Sequence, residues 1–153
     1  MQLCNKYPFL MKYFQEGVKS EERAIAHSIL FYGNDIAAQY DIAYEIARLL
    51  NCKASGEKDC ECINCKWICE HQHPAVLTVS KLDFKGTDDE SKTVISIKQS
   101  QKIKTLLNTT SEFHRVFIFC DRGEEGDIMP LNVLNFQEET ANSLLKIIEE
   151  PPE

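Results

Sequence analysis

Five of the seven cysteines fall between residues 52 and 69, as Cys52, Cys60, Cys62, Cys65 and Cys69, and this is the stretch best equipped for chemistry. Cys62-Ile-Asn-Cys65 is a C-x-x-C knuckle, in which two thiolates reach one ion from a single turn at Zn–S distances of about 2.3 Å. Cys52 and Cys60 complete a C-x7-C-x-C-x2-C set of four ligands. The one-residue gap between Cys60 and Cys62 is tighter than zinc sites ordinarily use, so Cys69 is an alternative to one of them. His71 and His73 are further candidate donors, but with Pro74 behind them the simpler reading is a solvent-facing turn that leads into a strand. Four cysteine ligands leave no open position for water, so the ion's role would be structural: it folds a segment too short to have its own core. The competing reading is a group of reduced, partly buried thiols without metal. Cys4 and Cys120 lie far from the cluster, and Cys120, at the end of an apolar run, reads as a small apolar filler.

Two other places invite a chemical test. A working phosphate loop has the form G-x-x-x-x-G-K-[ST], whose glycines let backbone N–H groups close around phosphates while the lysine adds charge and the hydroxyl holds magnesium. The aligned residues here are Gly33-Asn-Asp-Ile-Ala-Ala-Gln-Tyr40. Only Gly33 survives. Ala38 takes the place of the second glycine, Ile36 puts a β-branched side chain into the same nest, Gln39 is neutral, and Tyr40 is too bulky for the hydroxyl's position on Mg²⁺. The second place is the acidic end of the strongest apolar strand. P-loop ATPases commonly set two acidic residues there, for magnesium and for the attacking water. Asp121 is present, but Arg122 follows it, and a guanidinium stays protonated and cannot act as a base. Glu124 and Glu125 read as part of a solvated loop. Nucleotide hydrolysis is not expected.

The elements that must position these residues follow from hydrophobic spacing. An amphipathic helix is expected over residues 9–22, and residues 28–32 (Ser-Ile-Leu-Phe-Tyr) read as a buried strand ending at Gly33. Over residues 37–50, Ile42, Ile46, Leu49 and Leu50 recur at helical spacing around Ala43 and Ala47, suited to close packing on a sheet. Residues 75–79 form a second strand, residues 81–92 a polar surface loop, and residues 98–109 a helix with Ile103, Leu106 and Leu107 on one face. Residues 115–120 carry the strongest strand signal. A last helix over residues 138–150 presents Ala141, Leu144, Leu145 and Ile148, and Pro151-Pro152 stop it. Strands alternating with helices imply an α/β fold with a parallel sheet and right-handed crossovers.

Composition narrows the rest. A chain of 153 residues with 43% hydrophobic content fits one domain with a real core, and no run is long enough to span a bilayer. The first fourteen residues hold Lys6, Pro8 and Lys12 and lack a secretory h-region, so a cytoplasmic location is expected. Thiols stay reduced there, which favours zinc over disulfides. A formal net charge of −7 argues against the domain gripping a phosphate backbone by itself and for a protein partner.

Residues 26–33, the helix ending at Leu49-Leu50 before Cys52, the cysteine knuckle followed by His73-Pro74, the strand ending at Asp121 and Ala141-Asn-Ser-Leu-Leu-Lys-Ile-Ile-Glu-Glu-Pro-Pro152 together resemble the bacterial clamp-loader ATPase family of DNA polymerase III. The last motif is the most specific and is similar to that family's A-N-(A/S)-L-L-K-x-L-E-E-P-P signature, with Ile147 and Ile148 at its variable and leucine positions. The resemblance covers residues 26–152. Loss of the phosphate-loop lysine and of the second acidic residue is similar to the delta-prime branch of the family, which keeps the fold without hydrolysing ATP. Two departures stand out: Cys60-Glu-Cys62 is one residue shorter than the family's C-x-x-C-x-x-C, and residues 126–136 make a longer link before the last helix.

The resemblance implies a three-layer, P-loop NTPase-like AAA+ domain over residues 1–153, its parallel sheet covered by helices on both faces, with a zinc module inserted at about residues 52–73. It implies structural Zn²⁺ held by Cys52, Cys60, Cys62 and Cys65. Gly33, Gln39, Tyr40 and Asp121 would be remnants of a nucleotide site, and there would be no catalytic residue. The chain would be no enzyme on its own but a stiff subunit of a DNA-directed DNA polymerase holoenzyme. Its partners would be the gamma or tau and delta subunits and, through the assembled ring, the sliding clamp and primed DNA, with no membrane involved. The family's Ser-Arg-Cys arginine, next sheet strand, lid and collar would lie beyond Glu153, so the chain reads as an N-terminal portion or truncated product. The alternatives are an active gamma or tau ATPase, against which Gln39-Tyr40 argues, and a zinc-ribbon nucleic-acid module. Against the latter, Lys53, Lys58 and Lys66 are offset by Glu57, Asp59, Glu61 and Glu70, and Trp67 more readily covers the metal site than stacks on a base.

Overall fold

Helical spacing of apolar residues organises the first half of the chain, and a strand–helix–strand unit the second. A computed structural model describes residues 3–20, 25–54, 56–83, 94–123 and 125–150, in two compact units that divide after Val76. Residues 84–93 of the expected surface loop, Glu124, and the Pro151-Pro152 stop lie outside the described residues.

In the first unit the helices are α1 (Leu3–Lys6), α2 (Pro8–Lys19), α3 (Ile36–Asn51) and α4 (Ile63–Cys69). Pro8 opens α2, where its fixed φ suits the first turn and its missing N–H costs nothing. Met11 and Phe14 of α2 meet Ala38, Ile42 and Ile46 of α3 in one buried cluster, each set on one face at helical spacing. The expected strand over residues 28–32 does not form. Phe31 packs on the α2–α3 cluster, with its ring 6.3 Å from that of Phe14, while Leu30 and Tyr32 are 91% and 95% exposed. A strand needs a neighbour to take its N–H and C=O groups, and the described regular elements of this unit are all helical. For the same reason α3, with Ala47 fully buried, packs on α2 and α4 rather than on a sheet in this unit.

The second unit matches the α/β expectation. Strands β1 (Val76–Val79) and β2 (Val116–Phe119) pair in parallel, and α5 (Ile97–Leu107) makes the crossover between them. Ser96 and Gln99 form a reciprocal capping box at the start of α5, and Gln99 Nε2 donates to the carbonyls of Ser80 and Asp83 at 2.8 and 2.6 Å. Val79, Ile95, Ile103 and Leu144 form the core, joined by Phe117, Phe119, Phe136 and Ile147. The long link of residues 126–136 has a structure of its own. Strands β3 (Asp121–Arg122) and β4 (Ile128–Met129) pair antiparallel, a 3-10 turn spans Val133–Asn135, and Phe136 bridges Ile95. The last helix, α6 (Glu138–Glu149), is rotated from the expected face. Thr140 and Leu144 are buried and Ile147 packs on the core, whereas Leu145 and Ile148 are about half exposed. A 3.1 Å hydrogen bond from Ser100 to Ser143 pins that orientation, turning small polar residues toward α5.

Candidate metal centre

The four candidate ligands come from three local structures. Cys52 caps the C-terminal end of α3, Cys60 follows a turn in the succeeding loop, Cys62 precedes α4, and Cys65 sits in the first turn of α4. All four sulfurs lie within 4.8 Å of one another, with Cys52 Sγ 3.6 Å from Cys60 Sγ and 4.0 Å from Cys62 Sγ. These separations are far too long for disulfide bonds. A tetrahedral ion with Zn–S distances of about 2.3 Å sets its ligands about 3.8 Å apart, so the arrangement fits a four-thiolate site. Cys65 is buried and the other three are half-buried.

The fifth cysteine and the two histidines lie elsewhere. Cys69 is exposed and outside the four-sulfur group. His71 is exposed, in a left-handed turn (φ 56°), with its ring edge-on to Tyr44 at 4.2 Å. His73 corrects the expectation of a solvent-facing turn. It is only 3% exposed, its Nδ1 accepts the Ala75 N–H at 3.2 Å, its ring meets Trp67 edge-on, and burial holds its pKa below the ordinary value. Trp67 thus packs on His73.

Electrostatics within the cluster divide its thiols. Burial opposes ionising Cys62, yet the backbone N–H groups of Cys65 and Lys53 bring its thiol down to about 6. Burial pushes the Cys65 thiol up, opposed by a hydrogen bond from Arg48. A bound ion would take all four as thiolates.

At the opposite end of α3, about 24 Å away at 1.5 Å per residue, lies the turn aligned with a phosphate loop. Gly33 keeps the positive φ (131°) that glycine tolerates, but the helix begins at Ile36, so only Asn34 and Asp35 separate the two. The Asp35 carboxylate caps the helix, accepting the Ala38 N–H at 3.3 Å and the Tyr7 hydroxyl at 2.5 Å, with Lys6 Nζ also at 2.5 Å. These hydrogen bonds, from Lys6 first and then Tyr7, bring its pKa down to about 2. Gln39 folds back, its Nε2 donating to the Gly33 carbonyl at 3.2 Å. An anion reaching this helix end would meet a carboxylate already in place.

In the second unit, β2 stops at Phe119, and Asp121, expected at its end, opens β3 instead and pairs with Lys81 at 3.6 Å. Arg122 binds Asp83 at 2.5 Å and the Gly126 carbonyl at 3.2 Å. Glu125 is exposed in the hairpin turn.

A family model described as "DNA polymerase III, delta subunit" matches residues 7–153. The chain belongs to that family. A curated relative, the DNA polymerase III subunit delta' of Buchnera aphidicola subsp. Schizaphis graminum (strain Sg), is 27% identical over 150 residues, which cover 96% of this chain and 40% of the relative. The chain spans about two fifths of that relative's length.

In this member of the delta-subunit family, several residues that the sequence did not single out hold the candidate sites together. Asp35 carries a legible signal, an aspartate just before an apolar helical repeat. Lys6 and Tyr7 reach it from 28 residues or more away and carry no such signal. Glu45 and Arg48 look like a solvated pair at i, i+3, yet both are buried, and Arg48 reaches the carbonyls of the cysteine loop. Asn64, inside the knuckle, donates to the Asn51 carbonyl at 2.8 Å and ties α4 to the end of α3.

Proposed function

We propose that the chain forms the AAA+-type, nucleotide-site-degenerate domain of a delta-prime kind of clamp-loader subunit, acting in DNA replication without hydrolysing ATP. Membership of the DNA polymerase III delta-subunit family supports the replication role. The observation that carries the non-catalytic part is Asp35: a phosphate loop works by leaving helix N–H groups free for an anion, and here a carboxylate takes that place. Lys81 and Arg122 reinforce the reading: Lys81 sets a cation on Asp121, the carboxylate a magnesium site would need, and Arg122 stands where the second acidic residue would be. The three-layer parallel sheet of such a domain is the frame in which we place the β1–α5–β2 crossover.

Cys52, Cys60, Cys62 and Cys65 hold structural Zn²⁺ in this proposal. The ion would cross-link the end of α3, the loop and α4, and it would leave no open coordination position for a reacting group. Its distance of about 24 Å from the Asp35 end of α3 suits a structural role. With no fuel-dependent step of its own, the subunit works as a rigid member bound to gamma or tau and delta subunits in the cytoplasm. The ring they form acts on the sliding clamp and primed DNA. None of the helices among the described residues is long and apolar enough to cross a membrane.

Co-purification tests the partnership. The tagged chain, mixed with gamma or tau and delta subunits, is expected to retain them through gel filtration at physiological salt, with no added nucleotide needed for its own contact. Elution of the chain alone under all nucleotide conditions would refute the assembly role.

A further inference from the structure

Arg48 lies in the last turns of α3, 3% exposed, beside Glu45 at 6%. Its guanidinium uses all five N–H donors. Nε and Nη2 hold the two Glu45 carboxylate oxygens at 2.8 and 2.7 Å. Nη2 also donates to the Gly56 carbonyl at 3.2 Å, and Nη1 to the Glu57 carbonyl at 3.1 Å and to Cys65 Sγ at 3.4 Å. One planar fork therefore binds its own helix, the backbone of the loop that carries Cys60, and one of the four clustered sulfurs.

We propose that Arg48 is the outer positioning residue of the metal centre, fixing the cysteine loop through two carbonyls while donating a hydrogen bond to the Cys65 sulfur. The chemistry favours this over a purely structural salt bridge. A buried ion pair adds little net stability by itself, and Glu45 already neutralises the guanidinium. A donor directed at sulfur matters most when that sulfur is a thiolate, where the hydrogen bond is charge-assisted and withdraws electron density. Partners of this kind orient metal ligands and tune their basicity. Glu45 in turn holds the fork in register, so the two residues act together. The proposal rests on the zinc reading of the four cysteines, and the test separates the two.

The experiment uses the full chain and four proteins: wild type, the charge-neutral double variant Glu45→Gln/Arg48→Gln, Arg48→Lys, and Asn64→Ala. Asn64→Ala removes the other tie between α4 and α3 without touching a sulfur. Zinc affinity is measured by competition with a chromophoric chelator, and sulfur-to-metal charge transfer is read with Co²⁺ in place of zinc. The double variant is expected to bind zinc about 10- to 100-fold more weakly. It should also move the cobalt charge-transfer band to longer wavelength, as a thiolate that loses its donor becomes easier to oxidise. Arg48→Lys keeps a charge for Glu45 but loses the fork, and it should shift the band in the same direction even if the double variant folds poorly. Asn64→Ala should leave the band in place. Unchanged affinity and spectrum in both Arg48 variants, or the same spectral shift in Asn64→Ala, would overturn the role of Arg48 while leaving the zinc reading intact. Failure of the wild type to bind zinc would overturn both.

Discussion

Removing zinc should open the cysteine segment while leaving the rest of the first unit folded, and the size of the effect follows from what the segment retains. Ordering the described residues from Lys53 to Cys69, sixteen in number, costs about 16–32 kcal/mol at about 1–2 kcal/mol per residue. Without the ion, the segment keeps the buried Ile68, worth about 1.5–3 kcal/mol, and the Asn64 hydrogen bond, worth about 1 kcal/mol. The two Arg48 bonds to loop carbonyls add about 1.5–3 kcal/mol each. These contributions, about 6–10 kcal/mol together, fall short of the ordering cost, and a structural zinc adds about 10–16 kcal/mol in small modules. The assay is hydrogen exchange and limited trypsin digestion of the full chain, with and without a strong zinc chelator, and of Cys62→Ser. Cleavage after the exposed Lys53 and Lys58 should become rapid, and amides of α4 should lose protection. Those around the Met11–Phe14–Ile42–Ile46 cluster should keep theirs. Equal resistance of the metal-free protein at Lys53 and Lys58 would refute the reasoning, as would loss of protection throughout α2 and α3.

Ile42→Ala, at a position 3% exposed between α2 and α3, should cost about 2–5 kcal/mol in urea denaturation, whereas Leu30→Ser at a 91% exposed position should stay within about 0.5 kcal/mol; the reverse order would contradict the packing described for the first unit. The Asp35 carboxyl, lowered by Lys6 and Tyr7, should titrate near 2 by carbon-detected NMR. Because its folded value lies below the ordinary carboxylate range, its contribution to stability is present above that range and is lost as pH falls toward 2. Asp35→Asn should flatten this acid limb, and a midpoint near 4 would remove the capping account. Gln39→Lys should yield no phosphate release from ATP in a colorimetric assay, since Asp35, Ile36, Ala38 and Tyr40 remain; measurable turnover would count against the reading of that turn.

How much was legible in the sequence depended on whether the determining contacts were local. Helix α3, the β1–α5–β2 crossover and the start of α6 follow from spacing within single segments, and their boundaries fall within two residues of expectation. The cysteine cluster was legible because its spacing is a short-range pattern, and the structure brings the sulfurs of Cys52, Cys60, Cys62 and Cys65 together while leaving Cys69 out. Residues 28–32 have the composition of a buried strand, but a strand is a property of its neighbours, and the first unit offers helices. The face of α6 was misjudged because Ala141, Leu145 and Ile148 are more apolar than Thr140 and Ser143, while the Ser143 bond to Ser100 joins residues 43 apart and decides the rotation. The same holds for Lys6 and Tyr7 on Asp35 and for Arg48 on Cys65, where long-range partners give ordinary-looking residues their roles.

The central claim is that this chain keeps the frame of a nucleotide-driven subunit without the means to use nucleotide. Isothermal titration of the zinc-loaded protein with Mg-ATP tests it most directly. The account predicts no saturable heat up to millimolar ATP and no change when Mg²⁺ is omitted. A magnesium-dependent isotherm with a micromolar dissociation constant would contradict it.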